Sequence, residues 1–69
     1  MNKEFQFFTY LLECYATYKD EKTHIILELL SEKKLVEFVM SMYELYHCEA
    51  IENAFMDLDS LLETGRPAW

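Results

Sequence analysis

The sequence predicts an all-α fold: a compact bundle of about four short helices in one domain, residues 1–69. Three observations carry this. Apolar residues recur every three to four positions, the spacing of one helix face, while the alternation of a half-buried strand never lasts. One glycine and one proline occur in 69 residues, both near the C-terminus, so the turn signals that hairpins need are missing. Finally, 52% of the residues are hydrophobic, enough to form a core despite a formal net charge of -7.

The first helix is predicted over residues 3–18. Asn2 suits the N-cap, and Glu4 lies in the first turn, where a carboxylate meets the positive end of the helix dipole. Phe5, Phe8, Leu12 and Tyr15 form one apolar row, and Phe7, Leu11, Cys14 and Tyr18 form a second beside it. So broad a face suits a central helix packed against several neighbours. Alternatively one aromatic row, with Phe7 and Tyr10, meets another chain. The segment "YKDEKT" breaks the pattern. Asp20 is expected to cap a second helix over residues 21–32, which buries Ile26, Leu29 and Leu30. After the polar connection "SEKK", a third helix is predicted over residues 34–46. Its inward residues are Leu35, Phe38, Val39, Met42 and either Leu45 or Tyr46.

That helix cannot run on to the end of the chain. Leu35 and Ile51 would stand about 160° apart on a continuous helix of about 100° per residue. The stripe Ile51, Phe55, Leu58 and Leu62 therefore lies on the wrong side to extend the earlier one. The chain is expected to turn near residues 47–49 and to form a fourth helix over residues 49–63. Gly65 suits the C′ position, and Pro67 prevents continuation.

Composition excludes several functions. Thirteen carboxylates against six lysines and arginines disfavour nucleic-acid binding, which needs clustered cations. The same acidity repels anionic membranes and suits a basic partner. No segment approaches the roughly 18 apolar residues of a membrane span, and the N-terminus lacks the pattern of a signal peptide. Two cysteines, Cys14 and Cys48, do not make a disulfide framework. These features lead to the expectation of a cytoplasmic protein with reduced thiols. A core of this size supplies only about 3–5 kcal/mol, which favours a partner or a homodimer.

The chemically suggestive stretch is "MYELYHCEAIENAFMDLD". His47 and Cys48 are adjacent, but neighbours on a helix diverge by about 100° and share an ion or a proton poorly. No C-x-x-C or H-x-x-x-H spacing accompanies them, and no glycine-rich loop could cradle phosphate. Asp57 and Asp59 are two apart and point away from each other, as on a solvated helix face rather than in an acid–base pair. The expectation is a non-enzymatic chain without metal or cofactor. Recognition needs only surface. The fourth helix carries Glu49, Glu52, Asp59 and Glu63 on one side with Asn53, Asp57 and Ser60 nearby. Tyr43, Tyr46 and Trp69 flank this face as candidate anchors, since aromatic anchors inside a polar rim are the usual makeup of binding hot spots.

The segments "FFTYLLECYATYK", "MYELYH", "IENAFMDLDSLL" and "TGRPAW" together resemble a family of small bacterial proteins known as domain of unknown function 3791. The family pattern falls here on Tyr43, Tyr46 and His47, then on Glu52 to Phe55, Asp57 and Asp59 to Leu62. One departure is Cys48, where a threonine or similar cap is expected; cysteine caps poorly, so the next helix should fray or shift. The resemblance implies a short acidic helical protein without enzymatic activity. It also implies the antitoxin or neutralising partner of an ADP-ribosyltransferase-like toxin. Taking the acidic face and its aromatic flank together with the family pattern, the residues expected to bind a partner are Tyr43, Tyr46, His47, Glu52, Asp57, Asp59 and Trp69. Such an enzyme must hold the phosphates of a dinucleotide, so its cleft should present cations. An acidic helix could cover that cleft, or the chain could bind elsewhere. The competing expectation is a self-associating structural protein that buries the aromatic face of its first helix.

Overall fold

The computed structural model describes residues 2–68. Five helices follow one another: α1 Lys3–Tyr18, α2 Thr23–Glu32, α3 Val36–Ser41, α4 Tyr43–Cys48 and α5 Ile51–Thr64. The described residues are 78% helical and contain no strand, so the all-α expectation holds.

α1 begins as the sequence implies: the Asn2 side chain accepts the Phe5 N–H at 2.7 Å. Its broad apolar face makes it the centre of the bundle, packed against α2, α3 and α4. Phe8, Leu11, Leu12, Tyr15 and Ala16 are buried, whereas Phe5 and Tyr18, at the ends of the two rows, are largely exposed. In α2 Ile26 and Leu30 are buried, but Leu29, also expected inside, is exposed.

The turns explain how a chain with one glycine reverses so often. At the end of α1 the Asp20 N–H donates to the Thr17 carbonyl at 3.1 Å and the Glu21 N–H to Ala16 at 2.8 Å. At the end of α2 the Lys34 N–H reaches Ser31 at 3.0 Å and the Leu35 N–H reaches Leu30 at 2.9 Å. Both are Schellman motifs, which need a left-handed residue at C′. Asp20 takes it at φ 55 and Lys34 at φ 60. Asp20 therefore closes α1 instead of capping α2, and α2 starts later than expected, after Lys22, with no side-chain cap. Gly65, at φ 80, ends α5 through its N–H to the Leu61 carbonyl, as its placement in the sequence implies.

The predicted third helix is two helices. The Ser41 hydroxyl donates to the Phe38 carbonyl at 2.6 Å, taking the acceptor that the Met42 N–H would use in a continuing helix. The Met42 N–H turns to Val39 at 3.1 Å, and α4 starts at the next residue. The choice between Leu45 and Tyr46 falls to Tyr46, which is buried, while Leu45 is exposed. The following turn lies at Glu49 and Ala50, both extended, so α5 starts at Ile51 rather than at residue 49. Ala50 occupies its N-cap with no side-chain hydrogen bond, in keeping with the weak cap chemistry of this corner.

Two stability changes follow. Lys34→Gly relieves a left-handed lysine and should raise unfolding free energy by about 1 kcal/mol. Ala50→Ser supplies the missing N-cap acceptor and should add about 1 kcal/mol. Urea unfolding followed by circular dichroism measures both; a loss of stability in either variant contradicts the corresponding turn.

Candidate functional site

α5 meets the rest of the molecule on two flanks because consecutive odd positions on a helix point apart. On one flank the Tyr15 hydroxyl of α1 donates to Asp59 Oδ1 at 2.5 Å, and Lys19 Nζ stands 3.2 Å from the same oxygen. On the other flank the Tyr46 hydroxyl of α4 donates to Asp57 Oδ2 at 2.9 Å. Asp57 Oδ1 also accepts the backbone N–H of Ala68 at 3.2 Å, which ties the tail to α5. Beside the Asp59 flank Phe55 packs on Tyr15 and stacks with Tyr18 at 4.9 Å between ring centroids.

These contacts place the sequence-derived residues unequally. Tyr46 and Asp57 are buried and bonded to each other, so they are walls of the fold rather than an open face. Asp57 and Asp59 do point apart, but neither lies on a freely solvated face: Asp57 is buried and Asp59 half-buried. Tyr43 is half-buried, its ring edge-on to Phe7 at 5.6 Å and stacked with the exposed His47 at 5.0 Å. Glu52 is exposed. Trp69 lies outside the described residues. The structure brings Tyr43 and His47 together, and separately Tyr46 and Asp57; Asp59 belongs to a third cluster with Tyr15 and Lys19.

Burial raises the pKa of both Tyr15 and Tyr46 above the ordinary tyrosine value, and the hydrogen bonds to Asp59 and Asp57 raise them further. Both hydroxyls are therefore fixed donors at neutral pH and poor proton acceptors. On the exposed side of α1, Tyr10 is also shifted upward, chiefly by its side-chain hydrogen bond with Cys14. Cys14 and Cys48 are free thiols. Among the described residues no three His, Cys, Asp or Glu side chains gather as a metal site would require. No helix there is long and apolar enough to cross a membrane.

The surface does carry a feature that single residues hide. Residues 35–65 contain Glu37, Glu44, Glu49, Glu52, Asp57, Asp59 and Glu63, and no lysine or arginine. The remaining six carboxylates are matched by all six lysines and arginines, so the formal net charge of -7 rests on this half. On it an open groove of about 410 Å³ lies between α4 and α5, lined by Leu45, Glu49, Asn53, Met56, Asp57 and Ala68. Leu45 and Met56 are 41% and 61% exposed, an apolar pair inside an acidic surround. Both are absent from the residues expected for partner binding. Met56 was detectable in sequence, since it sits about 100° off the Phe55 stripe on the polar side of its helix.

The family model described as protein of unknown function (DUF3791) matches residues 6–65. The chain belongs to this family. The match takes in α5 and both tyrosine–aspartate pairs but ends at Gly65, before the segment Arg66 to Trp69. Neither the curated proteins nor the solved structures yield a match to the chain.

The two pairs give a pH dependence with a definite sign. A tyrosine in the unfolded chain loses its proton near pH 10, whereas Tyr15 and Tyr46 hold theirs to higher pH in the fold. Their contribution is complete below about pH 10 and is lost as pH rises beyond it. Tyr15→Phe and Tyr46→Phe should each flatten the alkaline fall in stability. Tyr46→Phe should also cost about 1–3 kcal/mol at neutral pH, because it removes a donor from a buried carboxylate. Denaturant titrations from pH 7 to about 11 measure both effects; an unchanged alkaline slope in the double variant refutes the assignment.

Proposed function

We propose that this chain is a non-enzymatic protein-binding module that neutralises an ADP-ribosyltransferase-like toxin. The observation that carries the binding reading is the charge division: the whole net charge lies on residues 35–65, beside exposed apolar side chains. A surface of that kind suits a cationic protein partner, because opposite potentials steer association and exclude like-charged competitors. The identity of the partner rests on the resemblance described above; the matched family is itself described as of unknown function. In this reading α4 and α5 face the enzyme, with Glu52, Tyr43 and His47 exposed or half-exposed at the contact. Tyr46, Asp57 and Asp59 act by holding α5 in place, and Trp69 adds an aromatic anchor.

The competing reading is a homodimer. The exposed aromatic rings of Phe5 and Tyr10 on α1 favour it, since they lie on the half whose formal charges balance. A dimer formed there would leave the acidic half open.

Co-expression with the product of the neighbouring reading frame tests the proposal. The expected outcome is a stable complex, loss of the enzyme's toxicity in cells, and slower association for Glu49→Lys/Glu52→Lys. Toxicity that persists with the folded chain in excess overturns it. A melting temperature that rises with concentration, together with dimer mass and no complex, establishes the homodimer instead.

A further inference from the structure

We infer that the groove between α4 and α5 receives one cationic amphipathic helix of the partner. An apolar side chain of that helix seats between Leu45 and Met56, and its lysines or arginines meet Glu49 and Glu52. This rests on the protein-binding reading above and names the surface and the chemistry of its occupant. Leu45 and Glu49, four residues apart along α4 and its end, line the groove together with Met56; Glu52 stands one turn before Met56 on α5, beside the groove, and all four side chains are exposed. An occupant with apolar and cationic residues at helical spacing matches both walls at once. Methionine adapts its shape to an incoming side chain, which suits Met56 to such a contact. At the floor, Asp57 is engaged by Tyr46 and by the Ala68 N–H, so the groove keeps its form without an occupant.

Charge decides between occupants. A second copy would bring the same acidic half against this one, and an anionic lipid or nucleic acid would meet the same repulsion. No lysine or arginine lines the groove, and the exposed carboxylates at its edge are those of Glu49 and Glu52.

The probe is a fluorescein-labelled amphipathic helical peptide of leucine, lysine and alanine. It is compared with a scrambled peptide of the same composition and with one carrying glutamate for lysine. Binding to the full chain is followed by anisotropy and by amide chemical shifts. The ordered basic peptide should shift Leu45, Glu49, Asn53 and Met56. Leu45→Ser and Met56→Ser should each weaken it by about tenfold or more, with helix content unchanged because both side chains are exposed. Glu49→Gln/Glu52→Gln should lower its salt dependence, and Leu27→Ser on α2 should change nothing. Equal binding of the scrambled peptide, shifts centred on another face, or binding of the acidic peptide overturns the inference. So does self-association that Met56→Ser abolishes, which would make a second copy the occupant. If the groove takes no peptide while the chain still neutralises the enzyme, the groove assignment fails and the protein-binding reading stands. If the groove binds as described but the chain does not neutralise the enzyme, the toxin reading fails and the groove stands.

Discussion

The position of α5 depends on two tyrosine hydroxyls that reach carboxylates on opposite flanks of one helix. Tyr15 holds Asp59 from α1, and Tyr46 holds Asp57 from α4. Apolar packing alone fixes which stripe of a helix faces inward but constrains rotation and sliding weakly, because hydrophobic contact is non-directional. Two directional bonds, two residues apart and pointing apart, remove that freedom. They also bring carboxylates toward the interior without leaving them unsatisfied: among the described residues no buried side-chain nitrogen or oxygen lacks a partner. Phe55 packs on Tyr15 and Tyr18 beside the Asp59 flank, and the tail is gathered to Asp57.

Fixing α5 this way has a consequence for the surface. With Asp57 and Asp59 turned to its flanks, the exposed side of the helix presents Glu52, Asn53 and Met56, next to Leu45 and Glu49 from α4. The basic residues are confined to the start of α1, the turns on either side of α2 and Arg66, so residues 35–65 are strongly acidic and the rest of the chain is formally neutral. At physiological salt, potentials extend about 8 Å, comparable to a helix diameter and shorter than the 25 Å extent of the molecule. The field of an exposed α4–α5 carboxylate therefore acts locally on an approaching protein.

The turns show a related economy. Three left-handed positions close helices, yet only one of them is a glycine. Aspartate tolerates that conformation better than most residues, and lysine does so at greater strain. The break at Met42 needs no left-handed residue: Met42 leaves the helical region at ψ 12, and the Ser41 hydroxyl takes a carbonyl of the helix ladder. Beyond that break, α4 has Tyr46 on Asp57 and Leu45 outside.

By itself the sequence determined the helical class, the extent of α1 with its asparagine cap, the turn before α5 and the glycine that ends it. Each is a local property, set by apolar spacing, cap chemistry or one residue's freedom in φ. It also determined membership of the family, since the match needs only the order of residues. Tertiary structure decided the rest. Asp57 and Asp59 read as a solvated face because carboxylates usually are; whether such a group goes inward depends on a donor brought from a distant residue, and Tyr15 lies 44 positions from Asp59. Asp20 read as a cap for the helix ahead, but the hydrogen bonds behind it took it for the helix it follows. The groove joins Leu45, Met56 and Ala68, which share no periodicity and meet only once α4 turns at Met42 and the tail folds back on Asp57.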